Sequence, residues 1–213
     1  MTTKKEINDL EIIASELMFC IKEGLDYFYA LQELEEVIKC YSKRVYVAND
    51  FFTMARKALN YSSICSLIKV YDRHKDSVSV FKLINKCLST DIFKDDKTTI
   101  LVGFNDPICI ITEFQQYLER KKELLDSLYT RRDKFYMHND QVYFSKVCDL
   151  KKVTQLSFDD AFELFNEAQS FCNSIFEFLN GVSWNPSEHL KHGIEVDHKR
   201  SFCGLKKLLG YLD

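Results

Sequence analysis

Apolar residues recur at helical spacing from Asp9 to Tyr41, and this long pattern constrains the fold more than any other feature of the sequence. The spacing is close to a heptad repeat with charged residues between the apolar ones, which is typical of one long amphipathic helix. The repeating positions are Leu10, Ile13, Leu17, Ile21, Leu25, Phe28, Leu31, Leu34 and Ile38. The chain of 213 residues contains only 6 Gly and 2 Pro, so a turn-rich all-β architecture is disfavoured. We therefore predict an all-α fold.

Capping signals and apolar spacing divide the rest of the chain into further helices. Asp106-Pro107 is a strong helix start, Ser157 with Asp160 forms a capping box, and Ser77 is predicted to cap a short helix. The five main helices are expected around residues 9–42, 50–73, 77–88, 107–138 and 158–180. Together they predict a mostly antiparallel helical bundle over residues 1–181. Residues 182–213 are predicted to form a C-terminal extension packed on this bundle.

Charge and hydropathy exclude several classes of protein. No apolar run approaches the length of a membrane span, and the charged N-terminus MTTKKEINDLE is unlike a secretory signal, so we expect a cytoplasmic protein with no membrane contact. The eight cysteines show no CxxC pairing and are interpreted as small buried hydrophobic residues. A net charge of −3 argues against a protein that coats nucleic acid non-specifically. Any contact with nucleic acid is therefore predicted to be local.

The stretch RRDKFYMHND, from Arg131 to Asp140, carries the most distinctive chemistry. In a regular α-helix Arg131 and His138, seven residues apart, share one face, and Arg132 lies about a third of a turn away. A guanidinium can hold two phosphate oxygens, and an imidazole can exchange a proton near neutral pH. These groups together meet the needs of RNA cleavage by the 2′-hydroxyl without a metal.

The spacing alone does not establish this chemistry. An arginine followed by a histidine five to seven residues later is expected about 0.5 times by chance in a chain of this composition. The alternative is the polar end of a packing helix, with Arg131 and Arg132 solvated and His138 near the C-terminal dipole.

The order of residues in this stretch resembles the motif of the HEPN superfamily. That motif is an arginine, commonly followed by a polar residue, and then a histidine after four to six intervening positions. Here Arg132 and His138 have five residues between them, and Asp133 is the polar residue that follows the arginine. A second segment, LIKVYDRHKDSVSVFKLINKCL at residues 67–88, resembles the corresponding region of AbiU-type, abortive-infection HEPN-like proteins. The two segments agree in order and spacing, and the resemblance covers roughly residues 10–180.

The resemblance implies a metal-independent RNA endonuclease, acting in phage defence by abortive infection or as the toxin of a toxin–antitoxin pair. Arg132 and His138 would be its catalytic residues, and no cofactor is implied. The implied partners are RNA, a second copy of the chain and an antitoxin protein. In a homodimer two Arg–His pairs meet, so that one imidazole is available as base and the other as acid. The candidate substrate-binding residues are Arg131, Asp133, Tyr136 and Asn139.

A second hypothesis belongs to a different class of protein. The chain would then be a non-catalytic HEPN-like interaction module that binds a partner protein or a nucleotide. Met137 favours this hypothesis, because such proteins usually have a small residue before the histidine. The intact Arg132, Asp133 and His138 favour the nuclease.

Two further polar clusters have both a structural and a functional interpretation. Asp72, Arg73, His74 and Asp76 are best explained by capping and an ion pair at a turn, and alternatively as support for the Arg–His pair. His189 and His192 share the face of a short predicted helix and could begin a zinc site, but their spacing matches no familiar ligand pattern. We interpret the second cluster as part of a solvated tail.

Overall fold

The predicted all-α fold is confirmed by a computed structural model of the chain, which describes residues 2–40, 49–90, 93, 106–133 and 156–180. Within these residues the chain forms six helices and no strands. The helices are α1 (Thr2–Cys40), α2 (Asn49–Val70), α3 (Val80–Ser89), α4 (Pro107–Arg120), α5 (Lys122–Arg131) and α6 (Phe158–Asn180). None of them is long and apolar enough to cross a membrane. The predicted extension at 182–213 lies outside the described residues.

The first helix begins a full two turns before the apolar pattern does. Its opening turns are polar, but they are held by contacts with the end of α3. Lys86 Nζ lies 3.2 Å from Asp9 Oδ2, and the hydroxyl of Thr90 donates to Glu6 Oε2 at 3.1 Å. These partners are far away in the sequence, so the periodicity that predicted a start at residue 9 could not show them.

The prediction of a single helix over residues 107–138 is wrong, because the helix is interrupted at Lys121. The backbone of Lys121 has φ −95° and ψ 10°, which ends α4 at Arg120 and starts α5 one residue later. The side chain of Lys121 forms a 2.8 Å ion pair with Glu163 on α6. The interruption therefore coincides with a tertiary contact, and residues 134–138 lie outside the described part of the chain.

The capping signals in the sequence predict the N-cap residue correctly for two helices and wrongly for a third. Asp106 caps α4 by accepting from the backbone N–H of Ile108 at 3.0 Å, and the capping box of Ser157 and Asp160 starts α6 as predicted. The cap of α3 is Ser79, whose hydroxyl accepts from the Lys82 N–H, and not Ser77. Ser77 is free for a different contact, described below.

The chain divides into two compact units. The first takes α1 as far as Ile21 and everything that the structure describes between Leu67 and Trp184. Its core is formed by side chains from α1, the end of α2, and helices α3 to α6, with less than 2% of their surface exposed. They include Leu10, Leu17, Tyr71, Leu83, Ile111, Leu125, Leu128, Leu164, Phe165 and Ile175. Such burial removes apolar surface from water and drives the packing of these helices.

The described part of the second unit consists of residues 22–40 and 49–66, which cover the rest of α1 and most of α2. Leu34 and Val37 of α1 pack against Phe52 of α2 in a small apolar cluster. An ion pair between Arg56 and Glu35 joins the same two helices beside it.

The cysteines only partly follow the predicted burial. Cys87 and Cys172 are buried in the first unit, and burial raises the pKa of the Cys87 thiol to about 12. Cys40 and Cys109 are exposed, which corrects the prediction for these two. All six cysteines in the described ranges are free thiols.

Candidate functional site

The motif arginine lies at the end of α5, where the helix changes its winding. The N–H of Arg132 bonds to the carbonyls of Leu128 and Tyr129, and Arg132 and Asp133 lie in a π-helical turn. Wider turns of this kind are rare and occur frequently at functional sites. Buried Leu125 and Leu128 anchor the helix on the core, and Arg132 follows directly after the last helical residue.

The guanidinium of Arg132 is held by two carboxylates. Its Nη1 lies 3.2 Å from Asp72 Oδ1, and its Nε lies 2.7 Å from Asp133 Oδ1. The hydrogen bond to Asp133 is the main reason that the pKa of Arg132 is raised further above its ordinary value, so the group stays charged. The side chain is 29% exposed, which leaves it accessible from solvent.

Asp72 is the centre of this arrangement and belongs to the turn that follows α2. Its Oδ1 also accepts from the backbone N–H of His74 at 3.1 Å, and its Oδ2 accepts from the Ser77 hydroxyl at 2.5 Å. Burial raises the pKa of Asp72, but the bonds from Ser77 and His74 and the charge of Arg132 outweigh it, so the pKa lies below its ordinary value. The carboxylate is therefore ionised and fixed by three donors.

The ring of Tyr129 lies close to two guanidinium groups. The Cζ atoms of Arg73 and Arg132 lie 4.5 Å and 5.5 Å from its centroid, within the range of cation–π attraction. Arg73 also bonds to Asp126 Oδ1 at 3.0 Å. Burial raises the pKa of Tyr129 to about 12, although the charges of Arg73 and Arg132 oppose this shift.

Hydrogen bonds tie this ring to the core of the first unit. The hydroxyl of Tyr129 donates to the carbonyl of Tyr71, and the hydroxyl of Tyr71 donates to the carbonyl of Leu164 at 2.7 Å. Tyr71 is fully buried. The site is thus supported from α6 through two tyrosines. We call the group of Asp72, Arg73, Ser77, Tyr129, Arg132 and Asp133 the Asp72–Arg132 cluster.

Comparison with known proteins identifies the family. A family model described as AbiU2, of the HEPN type, matches residues 10–197. The chain belongs to the AbiU2 family. The match includes both 67–88 and 131–140, the two segments whose order carries the resemblance. No curated protein and no solved structure matches the chain.

Membership of the AbiU2 family indicates a HEPN-type, abortive-infection function at the level of the family. The structure adds a physical link between the family's two segments. Asp72 belongs to the YDR sequence of the first segment, and Arg132 belongs to the RDK sequence of the second. Their ion pair brings the segments together in one cluster.

The structure brings together some of the site residues that the sequence predicts for this AbiU2 protein. Arg132 and Asp133 are in direct contact, and Arg131 precedes them as the last residue of α5, partly buried. Tyr136, His138 and Asn139 lie outside the described residues, so their place beside Arg132 stays a prediction. The shared face of Arg131 and His138 assumed a regular α-helix, and the π-helical turn at Arg132 removes the basis for that assumption.

The polar turn at residues 72–76 has the capping role predicted for it, and it also contacts the motif arginine. Asp72 caps the turn by accepting from the N–H of His74, and it also binds the motif arginine.

The sequence did not predict the roles of Tyr129 and Asp126. Tyr129 lies three residues before Arg132, and this i, i+3 spacing was the signal that could have found it.

No part of the Asp72–Arg132 cluster forms a metal site. Within the described residues there is no group of three or more His, Cys, Asp or Glu side chains that could hold a metal ion. The carboxylates of Asp72 and Asp133 face a guanidinium. His189 and His192, considered as the start of a zinc site, lie outside the described residues.

Proposed function

We propose that this AbiU2-family protein is a metal-independent RNA endonuclease that acts in phage defence by abortive infection, or as the toxin of a toxin–antitoxin pair. The observation that carries the proposal is that the side chain of Arg132 is held in place by its neighbours. A charged guanidinium at the family's motif position is oriented by Asp72 and Asp133, rests against Tyr129 and remains partly exposed. A preorganised cation of this kind suits a phosphodiester whose negative charge increases in the transition state.

Arg132 binds the phosphate in this mechanism. Its Nε and Nη1 contact carboxylates, so we assign the phosphate oxygens to the edge that carries Nη2. The carboxylates of Asp72 and Asp133 repel a phosphate at a distance, but they also prevent the long side chain of Arg132 from turning away. Asp133 therefore acts on the substrate through Arg132, and Arg131 adds positive charge beside it.

His138 exchanges the protons. As base it takes the proton of the 2′-hydroxyl while that oxygen attacks phosphorus and the bond to the 5′-oxygen breaks. As acid, the imidazole of a second copy gives a proton to the departing 5′-oxygen, which leaves a cyclic phosphate and a free 5′-hydroxyl. Because each chain has one histidine in the motif, a homodimer with a composite site is the natural active form. Tyr136 and Asn139 are proposed to orient the RNA.

The cellular setting of the proposal follows from the same family. A nuclease without metal requirement that acts inside an infected cell is expected in the cytoplasm, where its RNA substrate is. An antitoxin that covers the Asp72–Arg132 cluster would keep it inactive. Both the antitoxin and the location remain part of the proposal.

The decisive experiment incubates purified protein with total RNA in the presence of EDTA. We expect the wild type to cut RNA and His138→Ala and Arg132→Ala to lose at least about a hundredfold in rate. Arg56→Ala in the second unit and His198→Ala are matched controls that should cut at the wild-type rate. A wild-type preparation that leaves RNA intact, or a His138→Ala variant that cuts normally, would refute the proposal.

Subunit mixing tests the composite site. Wild-type subunits mixed with an excess of His138→Ala subunits, so that heterodimers form, should lose most of their activity if each cut uses the imidazoles of both copies. If a monomer isolated by size exclusion cuts as fast as the dimer, the shared site is wrong.

A non-catalytic interaction module is the second candidate, and one observation favours it. Asp72 and Asp133 already satisfy two nitrogens of Arg132, which gives this arginine a structural role of its own. If this candidate is correct, Arg132→Ala lowers the unfolding temperature while the wild type shows no cleavage. Wild-type cleavage with a stable but inactive Arg132→Ala protein would reject it.

A further inference from the structure

A second arginine lies close to the motif arginine, and the cleavage mechanism above assigns no role to it. This residue is Arg73, the next residue in the chain after Asp72. The Cζ atoms of Arg73 and Arg132 lie 4.5 Å and 5.5 Å from the centroid of the Tyr129 ring, so the two guanidinium carbons are no farther apart than the sum of these distances. The distance between neighbouring phosphates of a single strand falls within this limit.

The side chain of Arg73 is held in place and still open to solvent. Its Nη1 lies 3.0 Å from Asp126 Oδ1, and its Cζ lies 5.9 Å from the centroid of the Phe81 ring as well as close to Tyr129. The side chain is nevertheless 49% exposed. A guanidinium carries five N–H donors, and the bond to Asp126 uses one of them. Arg73 is therefore a partly ordered cation with donors available to an anion.

The ion pair between Arg73 and Asp126 is easily exchanged. Both side chains are about half exposed, and an ion pair in such a place contributes little to stability. A phosphate of RNA is a stronger competitor, because its binding also releases the counterions that surround the strand. A phosphate is thus expected to replace Asp126 at Arg73 when RNA binds.

We propose that Arg73 binds a second phosphate of the same RNA strand, next to the phosphate held by Arg132. The inference rests on the proposed ribonuclease and extends its binding site along the strand by one nucleotide. Lys75, which is exposed in the same turn, adds positive charge there. The turn after α2 thus supplies both the carboxylate that orients Arg132 and the cation that binds the neighbouring phosphate.

The test measures the binding of RNA, not its cleavage. The probe is a fluorescein-labelled 2′-O-methyl RNA of mixed sequence and about eight nucleotides, in which the methylated oxygen cannot attack phosphorus. Fluorescence anisotropy gives the affinity of the full chain between about 50 and 200 mM KCl. The logarithm of the affinity falls with the logarithm of the salt concentration, with a slope of about −0.7 for each phosphate that the protein neutralises on a single strand.

Arg73→Gln should bind the probe about three- to tenfold more weakly at the lowest salt concentration, with a slope reduced by about 0.7. Arg132→Gln should lose a similar amount, and the double variant should lose about twice as much slope, because each arginine contacts its own phosphate. Arg56→Gln is the matched control, since it also removes an exposed arginine that pairs with a glutamate, and it should keep the wild-type slope. Circular dichroism checks that each variant is folded.

Three results would overturn the assignment. They are an unchanged slope in Arg73→Gln, an equal loss in Arg56→Gln, and a double variant with the same slope as Arg132→Gln, which would mean that both arginines share one phosphate. Wild-type protein that does not bind the probe would overturn it as well. Cleavage of unmodified RNA by the wild type together with an unchanged slope in Arg73→Gln would refute this inference and keep the nuclease. The expected slopes without any cleavage would refute the nuclease and keep the phosphate contact.

A second pair of variants tests the exchange at Asp126. Asp126→Asn releases Arg73 from its carboxylate and should bind the probe about threefold more tightly. This gain should disappear when Arg73→Gln is added, and Glu35→Gln, which releases Arg56 in the same way, should give no gain. A gain that persists without Arg73 would contradict the exchange of Asp126 for a phosphate.

Discussion

Arg132 Nη1 lies 3.2 Å from Asp72 Oδ1, although 60 residues separate the two in the sequence. Asp72 follows α2, and Arg132 follows α5. The contact therefore fixes the end of one helix against the turn after another. It converts two short sequence segments into a single cluster with a defined charge pattern.

Replacement of Asp72 should impair catalysis more than stability, if the proposed nuclease is correct. Without this carboxylate Arg132 keeps its charge but loses the partner that fixes its Nη1. A displacement of about 1 Å in a catalytic group can lower a rate about a hundredfold, so we expect Asp72→Ala to cut RNA on the order of ten- to a hundredfold more slowly. The measurement is kcat/KM with a defined RNA. Asp76→Ala removes an exposed carboxylate from the same turn and should cut at the wild-type rate.

The same carboxylate predicts how stability depends on acid. The pKa of Asp72 is lower in the folded chain than its ordinary value of 3.8, despite the opposing effect of burial. Such a group contributes stability that is full above the unfolded pKa and is lost as the pH falls through the folded pKa. Asp72→Asn should therefore be less stable than the wild type at neutral pH, and should lose less stability on acidification below about pH 4.

Urea unfolding between about pH 3 and pH 6 measures this difference in acid dependence. Asp76→Asn is the matched control, since its carboxylate is exposed and its curve should parallel that of the wild type. Parallel curves for Asp72→Asn and the wild type would mean that the contacts of Asp72 add nothing to stability.

Tyr129→Phe removes the hydroxyl that donates to the Tyr71 carbonyl and keeps the ring that contacts Arg73 and Arg132. The carbonyl then loses a partner in a largely buried place. We expect a loss of about 1–2 kcal/mol in the free energy of unfolding, measured in urea by circular dichroism.

Tyr27→Phe serves as the control for Tyr129→Phe. It removes a weaker 3.4 Å bond to Glu23 on the same helix, and should change stability by less than about 0.5 kcal/mol. If the two variants are equally stable, the bond from Tyr129 to Tyr71 does not support the cluster.

The capping box at the start of α6 gives a prediction that is independent of function. The Ser157 hydroxyl accepts from the Asp160 N–H at 3.0 Å, and Asp160 accepts in return from the Ser157 backbone at 3.2 Å. Ser157→Ala should lower the free energy of unfolding by about 1 kcal/mol. Ser174→Ala on the exposed side of the same helix should be close to neutral, because its hydroxyl bonds to a carbonyl that the helix already satisfies. Similar losses of stability in Ser157→Ala and Ser174→Ala would show that the lost cap does not cause the destabilisation.

Local patterns determined most of the helices. The apolar repeat of α1, the Asp106-Pro107 start and the Ser157 capping box act through residues within a few positions of each other, so the sequence displays them directly. The family segments at 67–88 and 131–140 could likewise be recognised from the order of their letters. The existence of an all-α fold and the choice of Arg132 as a site residue follow from this local information.

Only the tertiary structure decided what these residues contact. Lys121 interrupts a continuous helical pattern where it pairs with Glu163, and Ser77 leaves the cap of α3 to Ser79 and donates to Asp72. Arg132 is likewise oriented by Asp72, far away in the chain. Hydrogen bonds and ion pairs depend on distances of about 3 Å between atoms that packing brings together, and no periodicity along the chain encodes those distances.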